Sequence, residues 1–121
     1  MKRLFIRSCG YEHEPLPKAT FTFDCRVLEN PYWIKELSPF CGKNPQIKAF
    51  LDKSPKTKPF LDEILRQIEE CQEEEISIVC FCTGGYHRSV YVAAYLASYY
   101  LNKASVSLSH RDLGKGIKPC K

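Results

Sequence analysis

The chain has 121 residues, 44% of them hydrophobic and 26% charged, with a formal net charge of +4. That length supports one domain, spanning residues 1–121, with a real core, and the balance excludes a disordered or collagen-like chain. No apolar run approaches the ~20 residues of a membrane span. The apolar stretch after Met1-Lys2-Arg3 is cut by Arg7, too short for a signal peptide. A cytoplasmic protein without a membrane partner is the expectation.

Leu4 and Ile6 alternate with charge over residues 2–7, which predicts a first strand. Residues 8–18, with Gly10, Pro15 and Pro17, read as a loop. Residues 21–27 are rich in β-formers and predict a second strand ending near Asp24. Asn30-Pro31-Tyr32-Trp33 reads as a turn, because proline fixes its own φ and restrains the residue before it. Asn44 followed by Pro45 gives an N-cap and a first-turn proline for a short helix through Ile47, Phe50 and Leu51. A polar connector follows, with Thr57 as a candidate cap. Residues 59–70 carry Phe60, Leu61, Ile64, Leu65 and Ile68 at helical spacing, with acids opposite. Residues 76–81 form a buried strand, residues 90–101 a helix apolar nearly all round, and residues 105–109 a last strand.

Strands alternating with helices predict an α/β domain whose mostly parallel sheet is flanked by helices. Ligands of such sheets sit at the carboxyl ends of strands. Three polar clusters follow strand ends here: Asp24/Arg26/Asn30, the 82–89 loop, and His110/Arg111/Asp112. Their convergence on one site is expected. The seven cysteines, odd in number and without a Cys-x-x-Cys pair, are read as free thiols. Cys80 and Cys82 are expected to face opposite sides of their strand, which argues against zinc; no metal and no cofactor are expected. Residues 62–75 hold seven acids against Arg66 alone, so the remainder of the chain carries a net +10. A domain that is basic apart from one acidic helix face is a candidate polyanion binder.

The loop Cys82-Thr83-Gly84-Gly85-Tyr86-His87-Arg88-Ser89 joins the buried strand to the apolar helix. A strand–Gly loop–helix unit aims backbone N–H groups and a helix dipole at one spot, an anion site for phosphate or sulfate. Arg88 would add a bidentate fork, and Thr83 and Ser89 either donate hydroxyls to the anion or cap the helix. His87 is a phosphate donor, an interface residue or a structural hydrogen bonder. Asp24, Arg26 and Asn30 either read sugar hydroxyls or an amine, or fix their turn. Arg111, Lys115, Lys118 and Lys121 are candidate contacts to an RNA backbone.

Two templates fit the loop. Cys82, Gly85, Arg88 and Ser89 resemble the Cys-x2-Gly-x2-Arg-Ser/Thr signature of cysteine-dependent phosphatases. In that reading Cys82 is a nucleophile activated by the helix N-terminus and Arg88, and Asp24 or Asp112 is the general acid. Phe81, however, stands where those enzymes usually carry histidine.

The second template covers nearly the whole chain. The run from Cys82 to Val90 resembles the Cys-Thr-Gly-Gly-x-His-Arg-Ser-Val signature in the C-terminal domain of the RapZ (YvcJ-like) RNase adapter family. Ser8-Cys9-Gly10-Tyr11-Glu12-His13, the segment from Asp24 to Trp33, Leu37-Ser38-Pro39-Phe40-Cys41-Gly42 and His110-Arg111 resemble further segments of that domain, in the same order. The resemblance implies a regulatory domain that binds an amino-sugar phosphate and small RNA and works with an endoribonuclease; a non-catalytic role and a homo-oligomer are expected beside it. The Gly-x4-Gly-Lys-Ser/Thr motif of the family's nucleotide-binding domain is not present, so nucleotide binding by that route is not carried over.

Overall fold

The computed structural model describes residues 2–113. Its strands are β1 (Arg3–Gly10), β2 (Phe21–Asp24), β3 (Glu75–Cys82) and β4 (Ser105–His110), and its helices α1 (Pro45–Lys53), α2 (Thr57–Glu70) and α3 (Arg88–Tyr100). Two 3-10 turns, Cys25–Val27 and Pro31–Trp33, follow β2. The sheet runs in the order β2-β3-β1-β4, and every pairing is parallel.

Local chemistry sets the element ends. Asn44 caps α1 through its side-chain oxygen, which accepts the Gln46 N–H at 2.8 Å, with Pro45 in the first turn. Thr57 is not the cap of α2. It is the first residue of that helix, buried, and its hydroxyl donates to the Leu51 carbonyl at 2.6 Å, tying the end of α1 to the start of α2. Along β3, Ile76, Ile78, Cys80 and Cys82 all join the core, together with Leu4, Ile6 and Phe23 of β1 and β2. Residues two apart on a strand share a face, so the expectation that Cys80 and Cys82 look in opposite directions is corrected. Cys9, Cys25, Cys71, Cys80 and Cys82 are free thiols. Cys41 departs from the all-thiol expectation and is disulfide-bonded.

Handedness explains the layering. Parallel crossovers are right-handed in nearly all proteins. The steps β2 to β3 and β3 to β4 run the same way across the sheet, so α1, α2 and α3 lie on one face. Ile47, Leu51, Ile64, Ile68, Val92 and Leu96 pack there against the strands. The step from β1 to β2 runs backwards across β3 and uses the other face. That connection holds no helix, only the segment 11–20. No helix of the described residues is long and apolar enough to cross a membrane.

Candidate functional site

The carboxyl ends of the four strands bring the three polar clusters to one edge. In the ladder Gly10 pairs with Cys82, Asp24 with Phe81, and Ser8 with His110. The connections that leave β3 and β1 run in opposite directions across the sheet, which makes the gap between them the switch point at which open α/β sheets bind ligands.

Residues 83–87 leave β3 there and α3 begins at Arg88. Backbone packs directly on backbone at this point. A Cβ added to Gly10 would lie 2.3 Å from the Gly84 carbonyl carbon, and one added to Gly42 2.2 Å from the His87 oxygen. Gly85 sits at φ +69°, a conformation that favours glycine.

Neighbouring segments hold the loop by its carbonyls. The Tyr11 N–H donates to Cys82 O at 3.1 Å, the Glu12 N–H to Thr83 O at 3.2 Å and the Gly42 N–H to Tyr86 O at 2.8 Å. His13 Nε2 lies 3.0 Å from Gly84 O, so that nitrogen carries the proton. In a trans peptide the C=O and the next N–H point opposite ways. The N–H groups of Thr83, Gly84 and Gly85 therefore point away from the 10–13 turn.

Cys82 and Ser89 form a buried pair at the start of α3. The Cys82 thiol donates to Ser89 Oγ at 3.1 Å, and the Ser89 N–H donates to Cys82 Sγ at 3.4 Å. Cys82 is only 3% exposed and belongs to the core. Arg88 is 7% exposed, and its Nη1 donates to the carbonyls of Arg26 (3.0 Å) and Leu28 (3.3 Å), pinning the turn after β2 to α3. His87 is buried, with Nε2 3.0 Å from Ser38 O, and Tyr86 donates its hydroxyl to Pro39 O at 2.6 Å. Thr83 is half-buried.

Asp24 caps the Cys25–Val27 turn by accepting the Arg26 N–H at 3.0 Å, and its carboxylate pairs with the Arg26 guanidinium at 2.7 Å. Arg26 holds the Asp24 carboxyl below its usual range, with a smaller push from Arg88. The Arg26 guanidinium lies 5.1 Å from the Tyr11 ring centre and 5.5 Å from that of Phe81, within cation–π reach. Asn30 caps the Pro31–Trp33 turn, accepting the Tyr32 N–H at 3.1 Å. All three residues thus fix turns.

The third cluster ties the 10–15 segment to β4. Asp112, buried, accepts the Gly10 N–H at 2.6 Å and pairs with Arg111 at 3.0 Å. Arg111 donates to the carbonyls of Pro15 (2.7 Å), Glu14 (3.0 Å) and Gly10 (3.1 Å). Its guanidinium braces the turn that carries the loop. Lys115, Lys118 and Lys121 lie outside the described residues. Ser8 Oγ lies 2.6 Å from His110 Nδ1, and His110 Nε2 is buried with no partner among the described residues. Burial, then the charge of Lys43, lowers the His110 pKa. Sequence reasoning missed Ser8, His13, Ser38 and Gly42 as neighbours of the loop. All four had a signal, since Ser8 and His13 lie in one, and Ser38 and Gly42 in another, of the segments that resemble the RapZ domain.

A family model described as the RapZ C-terminal domain matches residues 2–114. The chain belongs to the RapZ C-terminal domain family. It is 38% identical over 119 residues to a nucleotide-binding protein of Fervidobacterium nodosum, covering 92% of this chain and 42% of that protein. Similar proteins of the same description from Psychromonas ingrahamii and Shewanella denitrificans are 34% and 36% identical over 117 residues, covering 91% and 90% of this chain. This RapZ C-terminal domain spans about two fifths of the length of those relatives, at 42% and 41%.

Proposed function

We propose that this RapZ C-terminal domain is a non-catalytic regulatory module that holds a phosphorylated metabolite, in class an amino-sugar phosphate, on the 82–89 loop. The observation that carries the reading is the loop's orientation at the switch point: its carbonyls are taken by the 10–13 turn and Gly42. The opposite sides of those peptides, with the N-terminus of α3, form an anion-binding concavity. Thr83 supplies a hydroxyl at its rim, and Arg88 supplies positive charge from behind. RNA, and through it an endoribonuclease, is the proposed macromolecular partner, met by the basic residues Lys115, Lys118 and Lys121.

Calorimetry with an amino-sugar phosphate, the unphosphorylated sugar and inorganic phosphate tests the metabolite site. The phosphorylated sugar should bind best. Thr83→Val should weaken it about tenfold or more, as expected for loss of a hydrogen bond to a charged group. Equal affinity in wild type and Thr83→Val, with the unphosphorylated sugar binding as well, would remove the loop from the account. For single-stranded RNA, log affinity should fall with log salt by about 0.7 per phosphate neutralised. Replacing Lys115, Lys118 and Lys121 by glutamine should flatten that slope; no binding at low salt sinks the RNA role.

The contact between Cys82 and Ser89 favours a second reading, a cysteine-dependent phosphatase, in which the serine would support a thiolate. Against it stand the burial of Cys82 and the commitment of Asp112 to Gly10 and Arg111. Turnover of an aryl phosphate that is lost in Cys82→Ser and kept in Cys80→Ser would establish the enzyme and overturn the non-catalytic reading.

A further inference from the structure

All-parallel sheets are normally covered on both faces and built from aliphatic runs. Among the described residues, the face opposite the helices is covered only by the 11–20 segment, and its residues are of another kind. Phe5 lies between Ser77 and Ser107 in the ladder, and Arg7 lies between Val79 and Ser109. Phe5 is 46% exposed. With Pro17, Lys18 and Ala19 as one wall, these residues line an open groove of about 210 Å³.

Among the described arginines, Arg7 of this groove stands apart from the others. Arg3 pairs with Glu75, Arg26 with Asp24, Arg66 with Glu63 and Glu70, and Arg111 with Asp112, while Arg88 donates to two carbonyls. Arg7 and Lys18 take no acceptor among the described residues. A guanidinium and an ammonium without acceptors among the described residues, beside the hydroxyls of Ser107 and Ser109, make a donor set for phosphate oxygens, while the Ser77 hydroxyl is engaged by Thr20. Two residues along β1, and so on the same face, a half-exposed phenyl ring offers a stacking surface for a flat heterocycle.

We infer that this groove is a nucleotide site, separate from the 82–89 loop, with the phosphate on Arg7 and Lys18 and the base against Phe5. The same chemistry is met in a free mononucleotide and in one unit of a single-stranded oligonucleotide. A second copy of the chain is disfavoured as occupant, because Arg7 and Lys18 would face cations of their own kind.

Binding of a nucleoside 5′-monophosphate, the nucleoside, inorganic phosphate and a short oligoribonucleotide to the full chain tests this, by calorimetry and amide chemical shifts. The monophosphate or the oligonucleotide should bind, with shifts at Phe5, Arg7 and Ser107–Ser109. Arg7→Gln should weaken binding at least about tenfold, and Phe5→Leu at least about fivefold, while Thr83→Val leaves it unchanged. Both replaced residues are on the surface, and circular dichroism checks that each variant folds. A mononucleotide that binds as tightly as the oligonucleotide indicates the free ligand. A tighter oligonucleotide with a steep salt dependence indicates a strand. Inorganic phosphate binding as well as the nucleotide would mean an adventitious ion only, and unchanged affinity in Arg7→Gln would equally overturn the inference. Loss in Thr83→Val with none in Arg7→Gln would return the binding to the loop.

Discussion

Gly10 is the residue that most tightly limits what the loop can tolerate. Its Cα faces the Gly84–Gly85 peptide at a distance that admits no methyl group. Gly10→Ala should cost about 1–3 kcal/mol, the range for forcing atoms into a packed site, and Gly85→Ala about 1–2 kcal/mol from its left-handed φ. Urea denaturation reads both, and either change should also weaken ligand binding at the loop. His110 gives a second prediction at this scale. Its pKa lies below the ordinary 6.5, chiefly through burial. The folded protein therefore resists protonation of the ring more than the unfolded chain does. The stability it contributes is complete above 6.5 and is lost as pH falls from there to the folded value. The melting temperature should drop as pH falls below 6.5, and His110→Asn should flatten that drop.

At the scale of elements, Arg88 and Arg66 make a useful contrast. Arg88, buried, joins α3 to the turn after β2 through two carbonyls. Arg88→Gln should cost about 1.5–3 kcal/mol, the range for a hydrogen bond to a charged group. Arg66 sits on the exposed face of α2 between Glu63 and Glu70, where solvent screens the pairs. Arg66→Ala should leave the denaturation midpoint nearly where it was. Most elements were legible because their signals are local. Asn44-Pro45 caps α1 as its residue types demand, and β3 and α3 extend only slightly beyond their apolar runs. β1 runs three residues further than the alternation of Leu4 and Ile6 indicates, because Ser8, Cys9 and Gly10 pair along β3 and supply a ladder rather than a hydrophobic pattern. Thr57 misled for a related reason: a hydroxyl suited to capping is drawn instead to a carbonyl six residues back. The site was legible as three clusters at strand ends. The roles within it were less so, since whether Arg88 or Arg111 meets a ligand or a neighbouring carbonyl depends on contacts 60 to 101 residues apart.

At the scale of the molecule, two forward crossovers and one backward one leave a sheet with unequal faces. The apolar helix face accounts for cohesion. The other carries serines, threonines and cations that take no acceptor among the described residues, and is the surface on which the groove lies. That asymmetry also orders the rates at which amide protons should exchange with deuterated solvent. β1 and β3 are flanked by strands on both sides and lie under α3, which buries eight of its thirteen residues. Their amides should exchange only when the whole chain opens. β4 has one neighbour among the described residues, and none of its six residues is fully buried, four of them being exposed outright. It should open and close many times for each global unfolding, so deuterium enters this domain first along the margin beside Ser105–His110.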